Sequence, residues 1–191
     1  MRLRNVVLSD LELGRASFPL SAAMLAFLGQ RGAINLVLAT LVVYALRPLA
    51  LPRALDASVL LAAAVLAWGN ALSLYSHILY YDLVAHFFVQ LLIAPCLYFL
   101  LLRATGATVS GSSAPVLVMI FALGLTLGAL WEIAEWTSDG AFGTSFVKGE
   151  ADTMTDLIAD ACGAFVGAAR YGALARFREV VAVDLELETE S

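Results

Sequence analysis

Residues 80–103, YYDLVAHFFVQLLIAPCLYFLLLR, decide the fold. At about 1.5 Å per residue, this apolar stretch is long enough to cross the ~30 Å hydrocarbon core of a bilayer as a helix. Asp82 and His86 lie near its start, four residues apart and therefore on one helical face. Because ionisable groups are costly in such surroundings, the stretch predicts a transmembrane helix that carries a polar site.

The whole chain has the composition of a multi-pass membrane protein. Of its 191 residues, 61% are hydrophobic and 14% are charged, and the mean hydropathy is +0.87. Soluble domains of this length are less apolar. Six apolar runs, each bounded by charge, Pro or Gly, predict an all-α bundle of about six transmembrane helices. The runs cover residues 16–29, 33–51, 54–75, 82–102, 114–136 and 155–175.

The first run is the shortest. As a helix its residues 16–29 reach only about 21 Å, so an interfacial or re-entrant helix is an alternative to a full span. The distribution of basic residues favours six spans. With both termini in the cytoplasm, nine Lys and Arg residues lie inside and two outside, whereas five spans divide them six against five.

This topology divides the chain into three parts. We expect a cytoplasmic segment at 1–15, a transmembrane domain at 16–176 and an acidic cytoplasmic tail at 177–191, with Met1 and Ser191 both in the cytoplasm. The formal charge of −5 comes from carboxylates in the loops and the tail, and the basic residues are scattered singly. The expected partner is therefore the lipid bilayer and not a nucleic acid.

Polar side chains recur at helical spacing near the outer ends of the predicted spans. They are Asn70, Ser73 and His77 of the third run, Asp82, His86 and Gln90 of the fourth, Glu132 and Glu135 of the fifth, and Asp152, Asp156 and Asp160 of the sixth. In the six-span topology these residues lie on the extracytoplasmic side. We therefore expect them to form one polar site.

Glycines at four-residue spacing accompany the carboxylates. Gly124 and Gly128 lie on the fifth run, and Gly163 and Gly167 lie on the sixth. Faces of small residues let membrane helices approach closely. We therefore expect the carboxylates to face other helices and not lipid.

Three hypotheses can account for these polar residues. In the first, they bind a divalent cation, and one histidine with several carboxylates suits Mg²⁺, Mn²⁺, Ca²⁺ or iron better than zinc. In the second, they share protons and carry a proton or ion pathway. In the third, they are interhelical hydrogen-bonding and capping residues. The predicted metal ligands are His86, Glu132, Glu135, Asp156 and Asp160.

Helix capping explains part of this set. The segment TMTD resembles a capping box with Thr153 as the cap, so a structural role for Asp156 is as well supported as a functional one. Asp82 and Asp152 also suit helix N-termini. The supporting residues of the predicted site are Asp82, Asn70 and His77. No cap accounts for His86, Glu132, Glu135 and Asp160.

Three segments, in this order, resemble the YjdF-like family of bacterial inner-membrane proteins. They are YYDLVAHFF (80–88), LWEIAEW (130–136) and DTMTDLIADACGAFVG (152–167). The resemblance covers roughly residues 33–175, and it implies a bacterial plasma-membrane location and a shared polar site. The same outline is more distantly similar to the VanZ-like family. The chain differs from that family at Glu135 and Trp136, where a glutamine is usual, and its long loop lacks the VanZ-like arginine.

Two functional classes follow from these observations. The first is a metal-dependent membrane enzyme that acts on a lipid or a lipid-linked envelope precursor, with Glu132 or Glu135 as the catalytic general base. The alternative is a non-enzymatic membrane protein that binds or conducts a small solute, an ion or a proton.

Overall fold

The computed structural model describes residues 2–30, 32–107 and 113–189, and for 2–9 and 174–189 it describes the backbone alone. All regular elements in these ranges are helical. They are α1 (Arg2–Phe27), α2 (Ala33–Ala45) with a 3-10 turn (Arg47–Leu49), α3 (Arg53–Ala71), the single turn α4 (Leu74–His77), α5 (Tyr81–Thr105), α6 (Ala114–Phe142) and α7 (Glu150–Thr189). Met1 and Ser191, which are predicted to lie in the cytoplasm, are outside the described residues.

The predicted all-α membrane bundle is confirmed. Each of the six long helices contains most or all of one predicted apolar run. Three of them, α3, α5 and α6, are long and apolar enough to cross a membrane by length and composition alone. Residues 33–49 form a shorter apolar segment. The first helix is longer than predicted because it continues backward to Arg2, well before residue 16.

Proline and glycine mark the ends of the central helices. Pro52 directly precedes α3, and Pro115 lies in the first turn of α6, where a missing backbone N–H costs nothing. Gly106 and Gly143 follow α5 and α6 with φ angles of 68° and 66°. This left-handed conformation ends a helix and is easiest for glycine.

Helix α5 lies at the centre of the bundle and packs against α3, α6 and α7, while α1 and α2 pack on each other and on α3. The helix faces that carry glycine let neighbouring helices approach closely, as predicted. A Cβ atom on Gly167 would lie 2.7 Å from the Leu91 carbonyl oxygen of α5, and one on Gly124 would lie 2.6 Å from the Ala164 Cβ of α7. The backbones of α5, α6 and α7 are therefore in direct contact.

The predicted capping box at Thr153 is wrong. Helix α7 begins at Glu150, and the Gly149 carbonyl accepts hydrogen bonds from the backbone N–H groups of Asp152 (3.1 Å) and Thr153 (3.3 Å). Asp156 therefore lies in the second turn, where its side chain caps nothing, and it is only 3% exposed. The capping explanation for Asp156 no longer holds.

A second polar cluster joins α1 to α3. Arg15 is 4% exposed and donates to Glu12 (2.8 Å) and to Asp56 at the start of α3. Arg47 lies 3.3 Å from the second oxygen of Glu12. A buried guanidinium is costly unless it is paired, so these carboxylates hold the N-terminal part of the bundle together.

Candidate functional site

The predicted polar residues meet at one end of the bundle, where α5 and α7 begin and α6 ends. Three carboxylates from two helices are almost fully buried there. Glu132 is 5% exposed, Asp156 is 3% exposed and Asp160 is 0% exposed. The expectation that these carboxylates face other helices is confirmed.

His86 lies at the centre of this cluster, with its side chain 9% exposed. Its Nδ1 atom is 3.1 Å from Asp160 Oδ1 on α7. The other ring nitrogen, Nε2, lies 3.8 Å from Asp82 Oδ1 and 3.9 Å from Glu132 Oε1. A carboxylate at one ring nitrogen orients the imidazole, so Asp160 directs Nε2 towards the other acidic side chains.

Gly128 of α6 makes room for the Asp160 carboxylate. A Cβ atom at position 128 would lie 2.6 Å from Asp160 Cγ, closer than ordinary contact allows. Asp160 Oδ1 contacts His86, while Oδ2 is buried without a hydrogen-bond partner in the described part of the chain. Gly128, which the glycine pattern predicted to lie where helices meet, therefore leaves space for Asp160, and Asp160 orients His86.

The donor atoms form two groups that share one residue. In the inner triplet of His86, Glu132 and Asp156, one donor atom from each residue lies within 4.8 Å of the other two. The same holds for the outer triplet of Asp82, Asp152 and Asp156. Both spacings suit a metal ion, and Asp156 belongs to both groups. Asp160, predicted as a ligand, belongs to neither, because it contacts the opposite side of the imidazole.

An oxygen atom of the inner triplet is unsatisfied. Glu132 Oε1 is buried and has no hydrogen-bond partner among the residues described. The Thr153 hydroxyl of α7 interacts with the same carboxylate. A buried carboxylate oxygen without a partner is costly, and a bound cation or proton would remove that cost.

Lys148 covers the outer triplet. Its Nζ atom lies 2.9 Å from Asp82 Oδ2 and 3.6 Å from Asp152 Oδ1, and its backbone N–H donates to Asp152 at 3.0 Å. The hydrogen bond to Asp82 raises the pKa of Lys148, so the side chain is an ammonium at neutral pH. The sequence analysis missed this contact, since nothing in the spacing relates a loop lysine to the start of α5.

The Lys148 loop is held in place from α6. The Asp139 carboxylate accepts hydrogen bonds from the backbone N–H groups of Phe146 and Val147, both at 2.9 Å. It also accepts one from the Thr144 hydroxyl at 2.6 Å. These contacts fix the segment that brings Lys148 to the outer triplet.

Three other predicted residues have partners elsewhere. Glu135 accepts a hydrogen bond from Trp131 Nε1 at 2.9 Å on its own helix. Asn70 donates to the Leu66 carbonyl at 3.0 Å, and His77 Nδ1 lies 2.8 Å from the Ser73 carbonyl. None of the three belongs to either triplet. Their roles in chemistry stay predictions.

Gln90 lies one turn below His86 on the same face of α5 and is 3% exposed. The amide can be oriented so that both its nitrogen and its oxygen have a partner. In this orientation it donates to the Gly124 carbonyl (3.1 Å) and accepts from the Gly128 N–H (3.2 Å) of α6. Both bonds are made to helix backbone that is reachable because glycines carry no side chain. Gln90 thereby closes the inner side of the site.

Comparison with known proteins gives a family but no activity. A family of predicted membrane proteins, DUF2238, matches residues 17–176. An uncharacterised protein from Thermotoga maritima is 35% identical over 98 residues, and the match covers 51% of this chain and 50% of that protein. The chain thus spans about half the length of this curated relative. No solved structure matches. The resemblance to YjdF-like proteins is confirmed, and this chain belongs to the DUF2238 family of predicted membrane proteins.

Proposed function

We propose that this membrane protein binds a divalent cation at the inner triplet and uses it as an enzyme acting on a lipid or a lipid-linked envelope precursor. One observation carries the proposal. His86, Glu132 and Asp156 converge from three helices to within 4.8 Å, and Glu132 Oε1 is buried there without a hydrogen-bond partner. One nitrogen and two carboxylate oxygens suit Mg²⁺, Mn²⁺ or Fe²⁺.

The contact between Asp160 and His86 supports cation binding. Metal-ligating histidines usually hold a carboxylate or carbonyl on their other ring nitrogen, which fixes the tautomer and the ring orientation. Asp160 occupies that position at 3.1 Å from His86 Nδ1. His86 Nε2 is thereby left free to act as the ligand atom beside Glu132.

Exposure of the side chains supports access from the end of the bundle. The exposed fraction of the side chain increases from the buried Asp160 and Glu132 through Asp152 (25%) and Asp82 (28%) to Lys148 (58%). His86 lies five residues into α5, about 7.5 Å along the helix axis. This depth suits a lipid headgroup, because the polar layer of a bilayer leaflet is about 5–8 Å thick.

In our proposal this end of the bundle lies outside the cytoplasm, because most of the basic residues then lie on the cytoplasmic side. A cation there would polarise a substrate oxygen or lower the pKa of a bound water. Glu132 is a ligand of the inner triplet, and in this proposal it takes up a proton through the carboxylate oxygen that does not hold the cation. The role of Glu135 as the general base stays a prediction. Its carboxylate already accepts a hydrogen bond from Trp131.

Ion or proton conduction is less well supported. A pathway through the membrane needs polar groups along its whole length. Beyond the site, α5 has no Asp, Glu, His, Lys or Arg until Arg103, and α7 has none between Asp160 and Arg170. Helix α6 has none between Ala114 and Trp131. Along these three helices the ionisable residues of the site are therefore confined to one end of the bundle, which suits a binding or catalytic site better than a conduit.

Metal analysis of the purified full-length chain tests the proposal. We expect a divalent cation to copurify or to raise the unfolding temperature in detergent, and we expect His86→Ala to abolish both effects. His77→Ala is the matched control, because this exposed histidine lies in the same region and bonds to its own backbone turn. Equal cation binding by the two variants would refute the site.

Activity is tested separately in proteoliposomes. We expect cation-dependent turnover of lipid or of a lipid-linked precursor, and we expect Glu132→Gln to abolish it while the protein stays folded. Cation or proton flux across the vesicle, without turnover, would favour the transport alternative instead.

A further inference from the structure

Asp156 is placed to serve two cations. It contributes a donor atom to both triplets, it is 3% exposed, and it accepts no hydrogen bond from the residues that the structure describes. A carboxylate has two oxygens, and each can ligate a different ion. A carboxylate that is 3% exposed and faces two groups of ligand atoms can therefore hold a ligand on each side.

One divalent cation does not neutralise the negative charge around Asp156. Five carboxylates surround a His86 ring that can be neutral, and with the Lys148 ammonium they carry a formal charge of −4. One divalent cation beside the ammonium leaves −2, and two divalent cations without the ammonium leave −1. Carboxylates so close together cannot all ionise without such compensation. The carboxylates are Asp82, Glu132, Asp152, Asp156 and Asp160.

Lys148 already places a positive charge in the outer triplet. Its ammonium lies 2.9 Å from Asp82 and 3.6 Å from Asp152. The side chain is 58% exposed, so it can swing into solvent without disturbing the helices. The outer triplet thus attracts a cation, and the ammonium that fills it is displaceable.

Resting on the cation site proposed above, we propose that the protein has a two-cation centre in which Asp156 bridges the inner and outer triplets. The inner ion is held by His86, Glu132 and Asp156. The outer ion is held by Asp82, Asp152 and Asp156, and it binds when the Lys148 ammonium withdraws. Carboxylate ligands from the facing helices of a bundle are a common way to hold two ions.

Titration with Mn²⁺ alone, using the full-length protein in detergent, tests this centre. We expect two ions per chain and an electron paramagnetic resonance spectrum with the spin coupling of two neighbouring Mn²⁺ ions. Asp152→Asn should leave one ion and an uncoupled spectrum. Glu150→Gln, which removes an exposed carboxylate from the same turn of α7 but from neither triplet, should keep two coupled ions.

A second variant tests the role of the lysine. Lys148→Met removes the competing ammonium, so it should raise the affinity of the second Mn²⁺ ion and leave the first unchanged. This variant changes an exposed side chain and does not depend on refolding a buried site.

The outcomes separate this inference from the single-cation proposal. One Mn²⁺ ion that is lost in His86→Ala but kept in Asp152→Asn would overturn the two-cation centre and leave the inner site intact. A second ion that Asp152→Asn does not remove would also overturn it. No bound ion in the unmodified protein would refute both proposals.

Discussion

Replacing Gly128 with alanine should damage the site through Asp160. The added Cβ would lie 2.6 Å from Asp160 Cγ and closer still to Oδ2, whereas ordinary contact begins near 3.4 Å, so the carboxylate must retreat by at least about 0.8 Å. Asp160 is 0% exposed, so it must retreat against other parts of the protein. Overpacking of this kind costs about 1–3 kcal/mol, and the higher helix propensity of alanine returns about 0.5–1 kcal/mol. We therefore expect the free energy of unfolding to fall by about 0–2.5 kcal/mol.

The same change should weaken cation binding, because a displaced Asp160 no longer orients His86. Loss of such a carboxylate partner typically lowers metal affinity about 10–100-fold. Cation-dependent shifts in the unfolding temperature of the detergent-solubilised protein measure both effects at once.

Two other glycines of α6 provide matched controls. Gly124→Ala should also lose stability, since its Cβ would lie 2.6 Å from Ala164 Cβ, but it does not touch the carboxylate. Gly140→Ala meets no atom within 4 Å and should be neutral or more stable by up to about 1 kcal/mol. Unchanged cation affinity in Gly128→Ala would refute the argument that Asp160 positions His86.

Three more predictions follow from the contacts. Glu132→Gln and Asp160→Asn should each reduce cation-dependent stabilisation, and the double variant should cost less than their sum; additive losses, within about 0.5 kcal/mol, would contradict a coupled site. Asp56→Ala should destabilise the protein by about 1–3 kcal/mol because the buried Arg15 loses one of its two carboxylate partners and keeps Glu12, and a chemical unfolding curve close to that of the unmodified protein would count against this pairing. Ser145→Cys, in an otherwise cysteine-free chain, should react with an impermeant thiol reagent in intact cells, and reaction only after permeabilisation would reverse the predicted orientation.

The sequence predicted the helices well because hydrophobic runs bounded by Pro, Gly and charge leave few alternatives in a membrane protein. Four-residue spacing also placed His86 and Asp156 on the correct helix faces, and the glycine pattern predicted which faces would meet. These signals are local to each helix and follow directly from the helical repeat.

The division of roles within the site depended on contacts between helices and could not be predicted from spacing. Asp160 and Asp156 lie one turn apart on α7, yet one reaches the back of His86 and the other faces the acidic triplets. The error at Thr153 had a local cause. Gly149 followed by Glu150 and Asp152 is itself typical of a helix N-terminus, and this signal points to an earlier start for α7.

The hydrogen bonds of Gln90 restrict how the bundle can move. Its amide pairs with the Gly124 carbonyl and the Gly128 N–H across the interface between α5 and α6. A slip of one helix past the other by a single residue shifts these groups by about 1.5 Å, which is more than a hydrogen bond tolerates. Sliding of α5 past α6 would therefore break both hydrogen bonds, whereas a motion in which the two helices tilt or translate together would keep them.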